Sequence, residues 1–258
     1  MHIQVTGRGP ALVLLHGWAL NAAVFAPLVE QLSDRFQLHL VDLPGHGHSR
    51  GDRLPLALEP VVATLAAVLP PALWLGWSLG GLFALHAAAT RPQRVRGLAM
   101  VASSPRFVRG PDWTDAIAPQ QLRRFAAELA ADFPATVDRF VALDLMGRHD
   151  GPATLHTLRH AIVERGAPTA AALRDGLDLL ETCDLRARLP DIAAPALWIA
   201  GQRDRLVPAA AMRVAAAAMP DAVETTLAGT GHAPFLARPA QVAALLDALQ
   251  ARTAGQRD

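Results

Sequence analysis

Three side chains in this chain are of the right type and order to make an alcohol reactive: Ser78, Asp204 and His232. A neutral serine hydroxyl is a poor nucleophile. It needs a base to take its proton, and the base needs an acid to orient it. Ser78 is the centre of Gly76-Trp77-Ser78-Leu79-Gly80. The apolar run Ala72-Leu73-Trp74-Leu75 before it reads as a buried strand, and Gly81 to Ala89 after it reads as a helix. A G-x-S-x-G sequence at a strand-to-helix junction is a nucleophile elbow. The turn is tight enough to strain the serine backbone by on the order of 1–3 kcal/mol. Gly76 and Gly80 leave room where a Cβ would clash. The hydroxyl then sits at a helix N-terminus, which favours developing negative charge.

The base and acid are expected downstream, in the order serine, acid, histidine. Asp204 lies in Gly201-Gln202-Arg203-Asp204, just past an apolar run, and His232 lies in Gly231-His232-Ala233-Pro234-Phe235, just past the last strand-like run. His232 is assigned as general base, then general acid, and Asp204 as the group that fixes its tautomer. Taken singly, a loop aspartate is usually a turn or cap residue, and a single histidine usually packs or faces water. The common order and the strand before each residue favour a functional set. Asp42 is read as ordering a Pro-Gly turn, and Asp191 and Asp221 lie beside turns. His16, His46 and His48 precede the serine, and His16 is read as structural or as support for an oxyanion loop. His149, His156 and His160 have suggestive spacing, but no cysteine or carboxylate cluster completes a metal site, so no metal is expected. Backbone N–H groups of Leu79 and of Trp18, in His16-Gly17-Trp18, are the candidate oxyanion donors. Each is worth roughly 3–4 kcal/mol in the transition state.

The elements that must position these residues alternate. Strand-like runs at 11–15, 37–42, 72–75, 95–101, 196–200 and 223–227 interleave with helix-like segments near 55–69, 79–90, 208–219 and 237–252. That pattern predicts an α/β fold, an open and mostly parallel sheet flanked by helices. The stretch 105–189 breaks the alternation with amphipathic helical segments and prolines at 111, 119, 134, 152 and 168. It is read as a helical cap inserted over the C-terminal sheet edge, where such sheets bind ligands. The core is then 1–104 with 190–258, and the residues from Thr253 onward read as a frayed tail.

Composition narrows the function classes. With 258 residues, 52% of them hydrophobic, the chain can bury a large core. A net charge of +1 gives no support to nucleic-acid binding. No run is apolar enough to span a bilayer, no secretory signal is visible, and Cys183, the one cysteine, cannot form an internal disulfide. These features predict a cytoplasmic protein without a membrane partner. All 24 basic residues are arginine, so no lysine can act as base or Schiff base.

The elbow, the His-Gly-Trp loop, Leu38 to Gly45, Val101 to Pro105, Thr136 to Leu143, Met146-Gly147 and Gly231 to Phe235 together resemble the α/β-hydrolase family. Within it they are most similar to the carboxylesterases of the biotin pathway that cleave the methyl ester of pimeloyl-acyl-carrier protein. The resemblance implies a serine esterase that needs no cofactor and releases methanol from a carrier-bound substrate; a monomer is expected. It also implies substrate contact along 140–144, that is Phe140, Val141, Ala142, Leu143 and Asp144, with Met146 extending the stripe that Phe140 and Leu143 begin. Acyl-carrier proteins are acidic, so a basic docking face is expected. The segment 105–189 holds 11 arginines against 12 acidic residues, so any patch must be local. Arg123, Arg124, Arg139, Arg159 and Arg165 are its candidates. The same machinery would also suit a broad short-chain carboxylesterase or a C–C bond hydrolase. A non-catalytic binding protein on the same fold is the remaining alternative.

Overall fold

The computed structural model of the chain describes residues 1–144 and 151–254, with 151–155 in backbone only. Seven strands form its sheet: β1 (Ile3–Gly7), β2 (Ala11–Leu15), β3 (Gln37–Val41), β4 (Ala72–Trp77), β5 (Val95–Val101), β6 (Ala196–Gly201) and β7 (Ala222–Leu227). Their spatial order is β1-β3-β2-β4-β5-β6-β7. β1 runs antiparallel to β3, and the other pairings are parallel. The helices are α1 (Ala26–Leu32), α2 (Leu58–Val68), α3 (Leu79–Thr90), α4 (Pro119–Ala131), α5 (Phe133–Asp144), α6 (Gly151–Glu164), α7 (Ala170–Thr182), α8 (Ala209–Ala217), α9 (Pro234–Ala237) and α10 (Pro239–Ala254).

β2, β4 and β6 are apolar without interruption because a parallel strand between two helical layers is covered on both faces. Their side chains alternate between two cores. Val13, Leu15, Trp74, Met100 and Trp198 face one layer with α2, α3 and α8. Leu12, Leu14, Leu75, Ala99 and Ile199 face the other with α1 and α10. Each fully buried aliphatic contributes about 1.5–3 kcal/mol. Strand order reverses between β2 and β4, so the loops after those two strands diverge and leave a crevice at their C-terminal ends. His16-Gly17-Trp18 and Ser78 occupy that crevice.

Between β5 and β6 the chain runs through α4 to α7. Before α4, residues 107–117 form a small loop closed by the isolated bridges Val108–Ile117 and Gly110–Trp113, which the purely helical reading of this region missed. β1 and α1 were also absent from the expected elements. β1 is a half-exposed edge strand with Val5 53% exposed, so it lacks the apolar run that marks the inner strands. α1 is only seven residues long and follows a 3-10 turn capped by the Asn21 side chain. Of the tail expected from Thr253 onward, residues 255–258 lie outside the described residues, and its start is corrected. Thr253 is buried in the last turn of α10, and its hydroxyl donates to the Gln250 carbonyl.

Candidate active site

Ser78 leaves β4 with φ 53° and ψ −122°, a conformation that a non-glycine residue adopts only under constraint. Neighbouring groups supply that constraint. The Ser78 N–H donates to the Val101 carbonyl at 3.0 Å, and the Ser78 carbonyl accepts from Ser103 Oγ at 2.7 Å and from Gly81 N at 2.9 Å. The two elbow glycines are sterically required. A Cβ on Gly76 would lie 2.4 Å from Gly81 Cα, and one on Gly80 would lie 2.2 Å from the Leu15 carbonyl oxygen.

The loop after β6 brings Asp204, and the loop after β7 brings His232, to the same edge. His232 Nε2 lies 2.9 Å from Ser78 Oγ, and His232 Nδ1 lies 2.8 Å from Asp204 Oδ2. An ionised carboxylate can only accept, so Nδ1 carries the proton and the Nε2 lone pair faces the serine hydroxyl. The other carboxylate oxygen of Asp204 accepts from the N–H groups of Leu206 and Val207 at 2.8 and 3.0 Å, which fixes the acid's rotamer. Burial alone would lower the His232 pKa. The charge and hydrogen bond of Asp204, with the charge of Asp144, outweigh burial and hold it above the usual histidine value.

Trp77 is a member of the site that motif reading left unassigned. Its indole N–H donates to the His232 carbonyl at 2.7 Å, and its ring lies 5.8 Å from the imidazole and 5.9 Å from Phe140. Trp77 thus braces the histidine from the elbow itself. Only the three-dimensional proximity of residues 155 apart reveals this.

The Leu79 N–H opens α3, where the first helical N–H groups have no intrahelical acceptor. The Trp18 N–H has no backbone acceptor among the described residues. Gly17, the residue before it, lies close enough to the elbow that a Cβ there would sit 3.1 Å from Ser78 Cβ. His16 sets this loop. Its Nδ1 lies 2.8 Å from the Gly17 carbonyl, and its Nε2 accepts from the Leu43 N–H at 2.9 Å. Burial lowers the His16 pKa, and the ring, its Nε2 accepting from Leu43, holds two loops together.

Above Ser78 and His232 lies a cleft with about 590 Å³ of empty space, part of it open to solvent. Trp18, Trp77, Phe107, Ile117 and Leu206 line it from the core side and the loop before α4. Leu122, Phe125 and Leu129 of α4, Thr136, Val137 and Phe140 of α5, and Leu180 of α7 form the opposite wall. The Trp18 ring meets Phe125 edge-on at 6.0 Å, and its indole N–H donates to the Leu173 carbonyl.

The expected stripe on α5 is corrected. Its cavity face is 136, 137 and 140, because the helix turns Leu143 outward to 65% exposure and leaves Ala142 exposed. Val141 is fully buried in the core, and Asp144 accepts a hydrogen bond from the Ala233 N–H at 2.8 Å. Of 140–144, only Phe140 lines the cleft. Met146 lies outside the described residues.

The arginines expected to meet a carrier are already paired with carboxylates. Arg123 contacts Glu181 at 2.6 Å, Arg124 contacts Glu128 at 3.2 Å, Arg139 contacts Glu128 at 3.6 Å, and Arg159 contacts Asp138 at 2.9 Å. Arg165 turns inward to Asp42 and Gln4. His149 lies outside the described residues, while His156 and His160 stack on the surface, His160 beside Glu164. One possible metal-ligand group among the described residues is His2, Asp42 and His48. It fits a cation poorly. The Asp42 carboxylate already accepts from the Ala22 and His48 N–H groups and faces the Arg165 guanidinium.

A family model described as alpha/beta hydrolase fold matches residues 10–239. The chain is 62% identical over 246 residues to a protein of Stenotrophomonas maltophilia K279a named pimeloyl-[acyl-carrier protein] methyl ester esterase, covering 95% of both chains. A protein of the same name from Xanthomonas oryzae pv. oryzae MAFF 311018 is 61% identical, covering 95% of this chain and 97% of that one. Among solved structures, an esterase from Exiguobacterium antarcticum superposes with a TM-score of 0.83 at 19% identity, over 96% of this chain and 95% of that one. An enol-lactonase from Burkholderia xenovorans superposes with a TM-score of 0.80 at 22% identity, over 97% and 96%. On its sequence, its sheet and its elbow, the chain belongs to the alpha/beta hydrolase family.

Proposed function

We propose that this chain is a serine carboxylesterase that hydrolyses the methyl ester of a pimeloyl group carried on acyl-carrier protein, giving methanol and a free carboxylate for biotin synthesis. The observation that carries the reading is a serine in hydrogen-bond contact with a carboxylate-oriented imidazole at the floor of an apolar cleft. The substrate follows from the relatives' name at 62% identity over nearly full length.

In this mechanism His232 Nε2 takes the Ser78 proton as Oγ attacks the ester carbonyl. The tetrahedral oxyanion is held by the N–H groups of Leu79 and Trp18. Asp204 stabilises the imidazolium. His232 then protonates the departing methoxide, so that methanol leaves and an acyl-Ser78 ester remains. Water, deprotonated by His232, releases the free acid and restores the hydroxyl. Residues 105–189 act as a cap whose inner wall (Leu122, Phe125, Leu129, Phe140) takes the methylene chain, and the carrier sits outside the mouth. To dock, an acidic carrier must compete with Glu181, Glu128 and Asp138 for the cap arginines.

The test is methanol release from methyl-pimeloyl carrier protein compared with short p-nitrophenyl esters. Preferred turnover of the carrier-linked ester supports the reading. Equal or better turnover of short esters, with no methanol from the carrier, overturns it in favour of a broad short-chain esterase.

A further inference from the structure

A second carboxylate, besides Asp204, reaches the histidine loop, this one from α5. Asp144, at the last described position of α5, is 5% exposed. Its Oδ1 accepts from the N–H of Ala233, the residue after His232, at 2.8 Å. The loop is shaped to admit it, because a Cβ on Gly231, the residue before His232, would lie 2.6 Å from that same oxygen. Asp144 therefore bonds the residue after the imidazole-bearing position and lies close beside the residue before it. α5 packs against α9, whose N-cap is Ala233, so this contact, with the Phe140 ring 6.0 Å from the imidazole, fastens α5 to the histidine loop.

We propose that Asp144 is a positioning residue for the esterase reaction, pinning the histidine loop to α5 and adding a second negative charge beside the imidazole. The inference rests on the reading of Ser78, His232 and Asp204 given above. It differs from a substrate-contact role, since Asp144 does not line the cleft.

Two effects follow, and they separate. The hydrogen bond to Ala233 holds the loop in register, so its loss disorders the approach of Nε2 to Oγ. The charge stabilises the imidazolium. Among the described groups that act on Asp144 are His232 and the Ala233 N–H from the same loop, and Asp204 from the loop after β6. Burial raises the Asp144 pKa to about 6, against the opposing pull of the Ala233 N–H and of His232, so the group is ionised when the enzyme works above that pH.

The experiment compares Asp144→Asn, Asp144→Ala and Ser78→Ala in the full chain, as pH profiles of kcat and kcat/KM on a p-nitrophenyl ester. Asn keeps an acceptor for the Ala233 N–H but carries no charge. We expect Asp144→Asn to retain kcat near pH 8 within about threefold and to move the acid limb of kcat/KM down by at least about half a unit, because His232 loses a charge that raised its pKa. Asp144→Ala should lower kcat by about ten- to a hundredfold with KM little changed, the result of an imidazole out of line. Wild-type profiles in both variants overturn the inference. So does a loss confined to KM, which would mark Asp144 as a substrate contact. Should Asp144→Ala fail to fold, the position of the acid limb in Asp144→Asn decides. Ser78→Ala tests the underlying reading separately: if it keeps activity, that reading fails whatever the Asp144 variants do.

Discussion

The Trp77 indole offers the most searching test of how the site is held. Trp77→Phe keeps an aromatic ring against Phe25, Phe140 and Phe235 but removes the N–H that donates to the His232 carbonyl at 2.7 Å. That carbonyl is then buried without its donor, which costs about 1–3 kcal/mol. The smaller ring leaves a void in a side-chain position only 2% exposed, adding about 1 kcal/mol. The sum is about 2–4 kcal/mol. At a urea slope of roughly 3 kcal/mol/M for a chain of this size, the unfolding midpoint should fall by about 1 M. Far-UV circular dichroism in a urea series reads this without relying on tryptophan emission. Ester kinetics on the same sample should show kcat reduced by about tenfold or more, because the carbonyl that anchors the imidazole is free to move. An unchanged midpoint together with an unchanged kcat would refute the argument that the elbow braces the histidine.

Three further outcomes are expected. Asp204→Asn should lower kcat by several orders of magnitude while leaving the unfolding midpoint nearly unchanged, because the amide can present an N–H to Nδ1 and favour the wrong tautomer; steady-state kinetics with a urea series checks both halves. Leu129→Trp should fill part of the cleft and slow long-chain p-nitrophenyl esters at least about tenfold while sparing the acetate, measurable as a ratio of kcat/KM values. His46 is fully buried, and burial with the neighbouring His16 holds its pKa down at about 3. The unfolded chain binds a proton at this residue below about 6.5 and the native chain does not, so as the pH falls below about 6.5 this residue alone takes stability away, by about 1.4 kcal/mol per pH unit. His46→Gln should flatten that slope by one proton's worth in urea midpoints taken from pH 7.5 to 5.

The parts of the site that were legible from sequence share a cause. Ser78 follows directly on β4, and Asp204 lies in the loop after β6, two strands whose apolar runs are unmistakable; His232 lies in the loop after β7, whose sequence AVETTL is mixed, and the parallel sheet gathers all three at one edge. The inner strands were legible for the same reason. β1 and α1 were not, since one is half-exposed and the other is a single short helix. The supporting contacts were illegible because they join residues far apart in the chain: Trp77 to His232 across 155 positions, Asp144 to Ala233 across 89, and Ser103 to Ser78 across 25. The α5 face failed for a different reason. Helical spacing allows 140 and 143 to share a stripe, but the direction of that stripe depends on how α5 sits over α9, and packing puts 136, 137 and 140 on the cleft instead.

The most direct measurement is mass spectrometry of the enzyme quenched during turnover of a pimeloyl methyl ester. The account predicts an acyl adduct on the peptide that contains Ser78, absent in Ser78→Ala and accumulating in a variant whose deacylation is slowed. Methanol release with no adduct at Ser78, or with the adduct on another residue, would contradict it.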